Sequence, residues 1–181
     1  MSNRPERARY AAVSRALHGA MAVLLPLQAG LGVIGDRLDD RMLGMRVLTA
    51  HFLLGLLLVL LLAARITARL LLRAPAPPIG MMRSQRALAW AVHGLMYVVL
   101  LVLPASGYVI WVWMEAPRGV FGWFEVPRIF DPPTDDERGR ALAWYLHLGA
   151  AWLLAVLVAL HLAAVAWHQA VRRDGLLSRM F

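Results

Sequence analysis

Four apolar stretches, residues 10–34, 48–72, 87–113 and 141–171, dominate the chain. Each is longer than the roughly 20 residues that carry an α-helix across the hydrocarbon layer of a bilayer. In hydrocarbon the backbone has to satisfy its own hydrogen bonds, so stretches of this kind read as helices. With 60% hydrophobic residues and a mean hydropathy of +0.60, the chain has too little polar surface for a water-soluble domain, and the lipid bilayer becomes its solvent. The expected architecture is all-α, a four-helix transmembrane bundle forming one membrane domain over residues 1–181. The first stretch carries His18 within its apolar run and is followed by three more spans. It reads as a retained span, not a cleaved leader.

The inventory of side chains removes several chemistries. There is no cysteine, which rules out disulfides, thiolate catalysis, cysteine-held iron–sulfur clusters and thioether-linked haem. The net charge of +8 comes wholly from arginine, because lysine is absent. Those arginines sit at the ends of apolar spans and not on a polar face, so no nucleic-acid partner is expected. Counted by side, twelve fall with the two termini and the 73–86 loop, and seven (Arg37, Arg41, Arg46, Arg118, Arg128, Arg138 and Arg140) fall opposite. The positive-inside rule then places both termini in the cytoplasm. Nine of the eleven acidic residues lie on the outer side.

The connections are short. Ala74-Pro75-Ala76-Pro77-Pro78 cannot continue a helix and closes the second span. The outer segment from Glu115 to Arg138 mixes Phe121, Trp123, Phe124 and Pro127 with charges, which suits a segment lying at the membrane interface or a plain connector with interfacial aromatics. Asp131-Pro132-Pro133-Thr134-Asp135-Asp136-Glu137 reads as a turn into an N-capped fourth helix, with acids at its positive end.

Six histidines occur: His18, His51, His93, His147 and His161 within the spans and His168 near the inner end of the last. Ionisable groups inside a membrane are costly and mark function by default. A satisfied helix–helix hydrogen bond explains any one of them, but not the whole set. Fourteen residues separate His147 from His161; at about 100° and 1.5 Å per residue they return to within about 40° of one helix face, some 21 Å apart. Two ligands so placed fit two stacked porphyrins, one near each membrane face. A compact zinc site needs all its ligands about 2 Å from one ion, which this pair cannot give.

Each haem needs a second axial ligand at the same depth. His51 lies a few residues into the second span from outside, as His147 does in the fourth, so these pair around an outer haem. His18 lies shortly after the first span leaves the inner side, at the depth of His161, and pairs with it around an inner haem. His93 is the alternative inner ligand in place of His18. With imidazole on both axial positions the iron has no open site, so the haems carry electrons and no catalytic side chain is singled out. His93 and His168, with Arg86 and Trp90 nearby, make the inner side the natural place for a quinone head group; for His168 the competing reading is an interfacial histidine facing headgroups. Gly19, Gly55, Gly94 and Gly149 accompany these histidines, either to let a flat macrocycle approach or for ordinary helix packing.

These residues resemble the bacterial cytochrome b561 family of diheme membrane proteins. The resemblance runs through Arg15-Ala16-Leu17-His18, Thr49-Ala50-His51, Arg65 to Arg69, His93 with Tyr97, and Pro104-Ala105-Ser106-Gly107. It continues in His147, His161 and His168 and in the tail Arg173-Asp174-Gly175-Leu176-Leu177-Ser178-Arg179-Met180. It implies two haem b groups ligated by His18, His51, His147 and His161, a quinone-facing region near His93 and His168, and residence in the bacterial inner membrane. Some relatives oxidise superoxide at the outer face and deliver the electrons to ubiquinone. Others are carrier subunits between a partner dehydrogenase or hydrogenase and the quinone pool. Gly19 stands where the family has an aromatic, and arginines replace its inner-loop lysines.

The leading expectation is therefore a superoxide-oxidising, ubiquinone-reducing diheme cytochrome, its outer arginines drawing in a small anion. The alternative is an electron-carrier subunit docked to a redox partner. A haem-free structural bundle would require every histidine to be incidental.

Overall fold

The computed structural model describes residues 9–76, 80–120, 122–133 and 135–180. Arg4, Arg7, Pro77, Pro78, Phe121 and Thr134, which entered the reading above, lie outside the described residues. Four long helices make up the chain: α1 (Ala12–Arg37), α2 (Arg41–Leu71), α3 (Arg83–Trp113) and α4 (Glu137–Trp167). All four are long and apolar enough to cross a membrane. A helix of 31 residues, the length of α2, α3 and α4, rises about 46 Å and so overreaches the hydrocarbon layer of about 30 Å into both headgroup zones.

That overreach explains where the helices depart from the apolar stretches. The second begins at Arg41 and not near 48 because Asp40 caps it, its carboxylate accepting from the Met42 and Leu43 amides at 2.9 and 3.0 Å. The third begins at Arg83, behind a Met82 amide that donates to the Gln85 side chain at 3.2 Å. Asp136 starts the fourth by accepting from the Gly139 amide at 2.8 Å, which is the N-cap the sequence led us to expect. Hydropathy marks the lipid-immersed part of a helix; capping side chains mark its ends. Beyond Trp167 the chain widens into a π turn over His168–Arg172, which Arg173 ends in the left-handed conformation at φ 50°. Pro26 and Pro104 lie inside α1 and α3, as helices in membranes tolerate.

Close backbone approaches run chiefly within two helical hairpins, α1 with α2 and α3 with α4, with α2 also touching α3. Buried clusters hold each level: Met21, Leu58 and Leu62 between α1 and α2; Val99, Ala150 and Leu157 between α3 and α4; and Phe52 stacked on Trp111 at 4.2 Å near the outer end. The opposite faces are apolar and open, Leu60, Leu70, Val23 and Leu162 among them. Exposed aliphatic surface on this scale belongs against lipid.

The outer connector is a small hairpin, β1 (Gly119–Val120) antiparallel to β2 (Phe124–Glu125), turned through Gly122 at φ 73°. Ala116 and Val126 are buried against Phe52 and Trp111, while Trp123 and Ile129 are almost fully exposed. The Tyr108 hydroxyl ties it to α3, donating to the Pro127 carbonyl at 2.6 Å and accepting from the Ile129 amide at 3.0 Å. At the other end the Tyr10 amide donates to the Arg179 carbonyl at 3.1 Å and the Arg179 guanidinium to the Ala76 carbonyl at 2.6 Å. The two chain ends and the α2–α3 loop therefore share one side of the bundle.

Candidate haem sites

Across the gap between the two hairpins, histidine rings face one another at two levels. At the end of the bundle away from the chain termini, His51 of α2 and His147 of α4 stand with ring centroids 6.1 Å apart and planes at 76°. Toward the end that carries the chain termini, His18 of α1 and His161 of α4 stand 6.3 Å apart at 90°. Two imidazole nitrogens each about 2 Å from one metal ion, on opposite sides of it, put the ring centroids about 6 Å apart. Both separations match that requirement, so the residues present fit a metal held between each pair. No cluster of three or more His, Asp or Glu side chains among the described residues could hold a bare ion. The arrangement suits two axial pairs, each needing its equatorial ligands from elsewhere, as a porphyrin provides them.

Hydrogen bonds fix the outer rings in the tautomer a metal requires. His51 donates Nδ1–H to the Gln28 carbonyl at 2.9 Å, and His147 donates Nδ1–H to the Leu103 carbonyl at 3.0 Å. A carbonyl only accepts, so the proton sits on Nδ1 and the Nε2 lone pair is left to ligate. The Gln28 side-chain nitrogen also lies 3.3 Å from His51 Nε2, and that amide has to swing aside when the nitrogen binds a metal. Buried Ser106 brings its hydroxyl to 3.1 Å from His147 Nδ1 while reaching the Val102 and Leu103 carbonyls at 2.8 and 3.1 Å.

His93 also meets His161, edge-on at 5.1 Å. That is too close for a metal between them: it leaves each nitrogen about 1.5 Å from the midpoint, against the bond of about 2 Å a metal needs. His93 instead donates Nδ1–H to the Ala89 carbonyl of its own helix. Arg65 of α2 reaches toward the Ser14 carbonyl of α1 at 3.5 Å.

His168 does not join this group. It bonds Asp174 at 2.6 Å, with both side chains largely buried in the folded tail, and no hydrogen bond or ring contact joins it to His93 among the described residues. Burial alone would raise the Asp174 carboxyl. The His168 hydrogen bond, the Leu176 amide and the nearby His168 and Arg172 charges outweigh it and hold the group below the ordinary carboxylate value. Trp90 turns outward, 78% exposed. On the outer side Arg128 is paired with Asp131 at 2.8 Å, while none of the other six outer arginines makes an ion pair among the described residues.

The glycines divide into two kinds. A Cβ at Gly19, Gly94 or Gly149 would have no atom within 4 Å, so helix packing does not explain them, whereas one at Gly55 would touch Gln28 at 3.1 Å. Sequence reasoning missed Gly32 and Gly107, whose Cβ positions fall 3.0 and 3.1 Å from the His51 and His147 rings. It also missed Gln28, although a polar side chain within an apolar span was a usable signal.

Residues 9–181 match the family described as "Prokaryotic cytochrome b561". The chain belongs to that family. It is also 29% identical over 181 residues to "Cytochrome b561 homolog 2" of Escherichia coli (strain K12), covering 99% of this chain and 93% of the relative. As a prokaryotic cytochrome b561 it is a multi-pass membrane protein and a b-type cytochrome that carries electrons.

Proposed function

We propose that this cytochrome b561 is one membrane domain holding two haem b groups, His51 and His147 ligating the outer and His18 and His161 the inner. It oxidises superoxide at the outer face of the bacterial inner membrane and reduces ubiquinone near the cytoplasmic face. The observation that carries this reading is the pair of histidine couples about 6 Å apart at two levels. The haems, when bound, supply reversible one-electron chemistry and the path across the bilayer. Two superoxide anions each give up one electron and leave as dioxygen; ubiquinone takes both electrons and two protons from the inner side.

The chain's own residues do the rest. Seven outer arginines stand against nine outer acids, so the outer side as a whole is net negative and an anion is drawn only locally, by arginines clear of a carboxylate. The Gln28 and Leu103 carbonyls hold the outer imidazoles in the ligating tautomer. His93 gives its Nδ1–H to the Ala89 carbonyl, so its Nε2 lone pair is left to accept from the hydroxyl of the quinol as it forms, and His168, held by Asp174 in the tail, passes protons in from the inner surface. The arginine asymmetry supports termini in the cytoplasm.

Stopped-flow mixing of the oxidised, purified protein with superoxide tests this. Haem reduction within the mixing burst, followed by reoxidation on adding ubiquinone, is the expected course. Absorbance that tracks the buffer control, together with co-purification of a flavin, molybdenum or iron–sulfur subunit, would replace this reading with that of a carrier subunit.

A further inference from the structure

The two outer ligand histidines are seated by the same device on two different helices. In α1 the Gln28 carbonyl accepts from His51 and Gly32 lies four residues on; in α3 the Leu103 carbonyl accepts from His147 and Gly107 lies four residues on. A helical carbonyl points toward residue i+4, and the Cβ of that residue tilts back toward the N-terminus, over the carbonyl's second lone pair. Glycine there uncovers the lone pair.

The clearances around the two glycines agree. A Cβ at Gly32 would lie 3.0 Å from His51 Cε1 and 3.1 Å from Nδ1, and one at Gly107 would lie 3.1 Å from His147 Cε1 and 3.4 Å from Nδ1. Glycines that serve helix packing look different here: Gly35 and Gly44 approach Leu48 and the Gly35 carbonyl. On the α3 side Ser106 completes the seat. Its hydroxyl hydrogen goes to a backbone carbonyl, so its oxygen is free to take a share of the His147 Nδ1–H.

We propose that Gly32 and Gly107, with Ser106, are positioning residues that set the strength of the Nδ1–H hydrogen bonds on His51 and His147 and thereby the reduction potential of the outer haem. The proposal rests on the reading of those two histidines as its axial ligands. A stronger bond from Nδ1–H makes imidazole a more basic, electron-rich ligand and favours ferric iron. Weakening it raises the potential. A methyl at position 32 or 107 pushes the ring off its carbonyl, and loss of the Ser106 hydroxyl removes one of two acceptors; all three changes act in the same direction.

The experiment is a spectro-electrochemical titration of the full-length haem-loaded protein and its Gly32→Ala, Gly107→Ala and Ser106→Ala variants. Gly30→Ala, whose Cβ would meet nothing within 4 Å, is the control. His147→Ala identifies which of the two midpoints belongs to the outer haem, as the component that disappears. The expected result is an upward shift of that midpoint alone in the three variants, with both haems retained, and two unmoved midpoints in Gly30→Ala. Ser106→Ala adds no volume and keeps the proposal open to refutation should the alanine variants fail to insert. Midpoints that superimpose on wild type in every variant that binds both haems, or that move together for both haems, overturn it. If His147→Ala keeps both components, the ligand reading itself fails, which is a separate outcome.

Discussion

Replacing His18 and His93 in turn separates the two candidates for the inner axial position. His161 has both within reach, at centroid distances of 6.3 and 5.1 Å. A metal held by two imidazoles needs about 6 Å between centroids, and closing that to 5.1 Å would compress each metal–nitrogen bond from about 2 Å to about 1.5 Å. With the rings as they stand, the His18–His161 separation fits an iron between two imidazoles, and His93 would have to change rotamer to take that place. His18→Ala is therefore expected to lower the pyridine-haemochrome yield from about two haems per chain to about one, the inner site losing one of its two axial bonds. His93→Ala is expected to leave the yield at about two. Detergent-purified protein normalised by amino-acid analysis gives the ratio. The reverse pattern, one haem without His93 and two without His18, would refute the distance argument.

Other expectations follow from the same geometry. His147→Ala should insert normally and lose about half of the haem; a full complement of two would break the outer pairing. His168→Ala should spare the optical spectrum and slow quinone reduction, and an unchanged rate would make His168 an interfacial residue. Asp40→Ala removes the cap that accepts two amides at the start of α2 and should cost about 1 kcal/mol, read as a lowered midpoint in detergent unfolding; no change would show the cap to be idle. The Asp174 carboxyl is held below its ordinary value of 3.8, so its contribution to the tail is fully present above that pH and is lost as pH falls through the lowered native value. Hydrogen exchange at the Leu176 amide, which Asp174 accepts at 3.1 Å, should accelerate only in that acid range; acceleration already near neutrality would mean that another group holds the tail.

The four spans were legible because a bilayer demands length and apolarity, both of which can be counted along a chain. Their ends were not, since Asp40 and Asp136 extend the helices past the hydrocarbon and such local caps leave little trace in hydropathy. The two histidine couples were readable from the fourteen-residue interval on α4 and from the direction of each span, with the His18 or His93 choice left open. Ring separations of 6.3 and 5.1 Å favour His18, by a margin of about 1 Å that spacing does not resolve. The seats around the outer rings were illegible for a further reason: Gln28, Gly32, Leu103, Ser106 and Gly107 lie on the helices that face the histidines, and cross-helix register is set by packing. His168 was expected beside His93, but the π turn at the end of α4 and the compact tail direct it to Asp174.

The most direct measurement is a haem count on the wild-type chain in parallel with ferric low-spin EPR. Imidazole planes near 76° and 90° leave the two iron orbitals that interact with them nearly degenerate, which gives strongly anisotropic signals. The expected result is about two b-type haems per chain, each low-spin and each with such a signal, from iron with both axial positions filled. A single haem, or a high-spin signal from iron with an open axial position, would contradict the two-couple account.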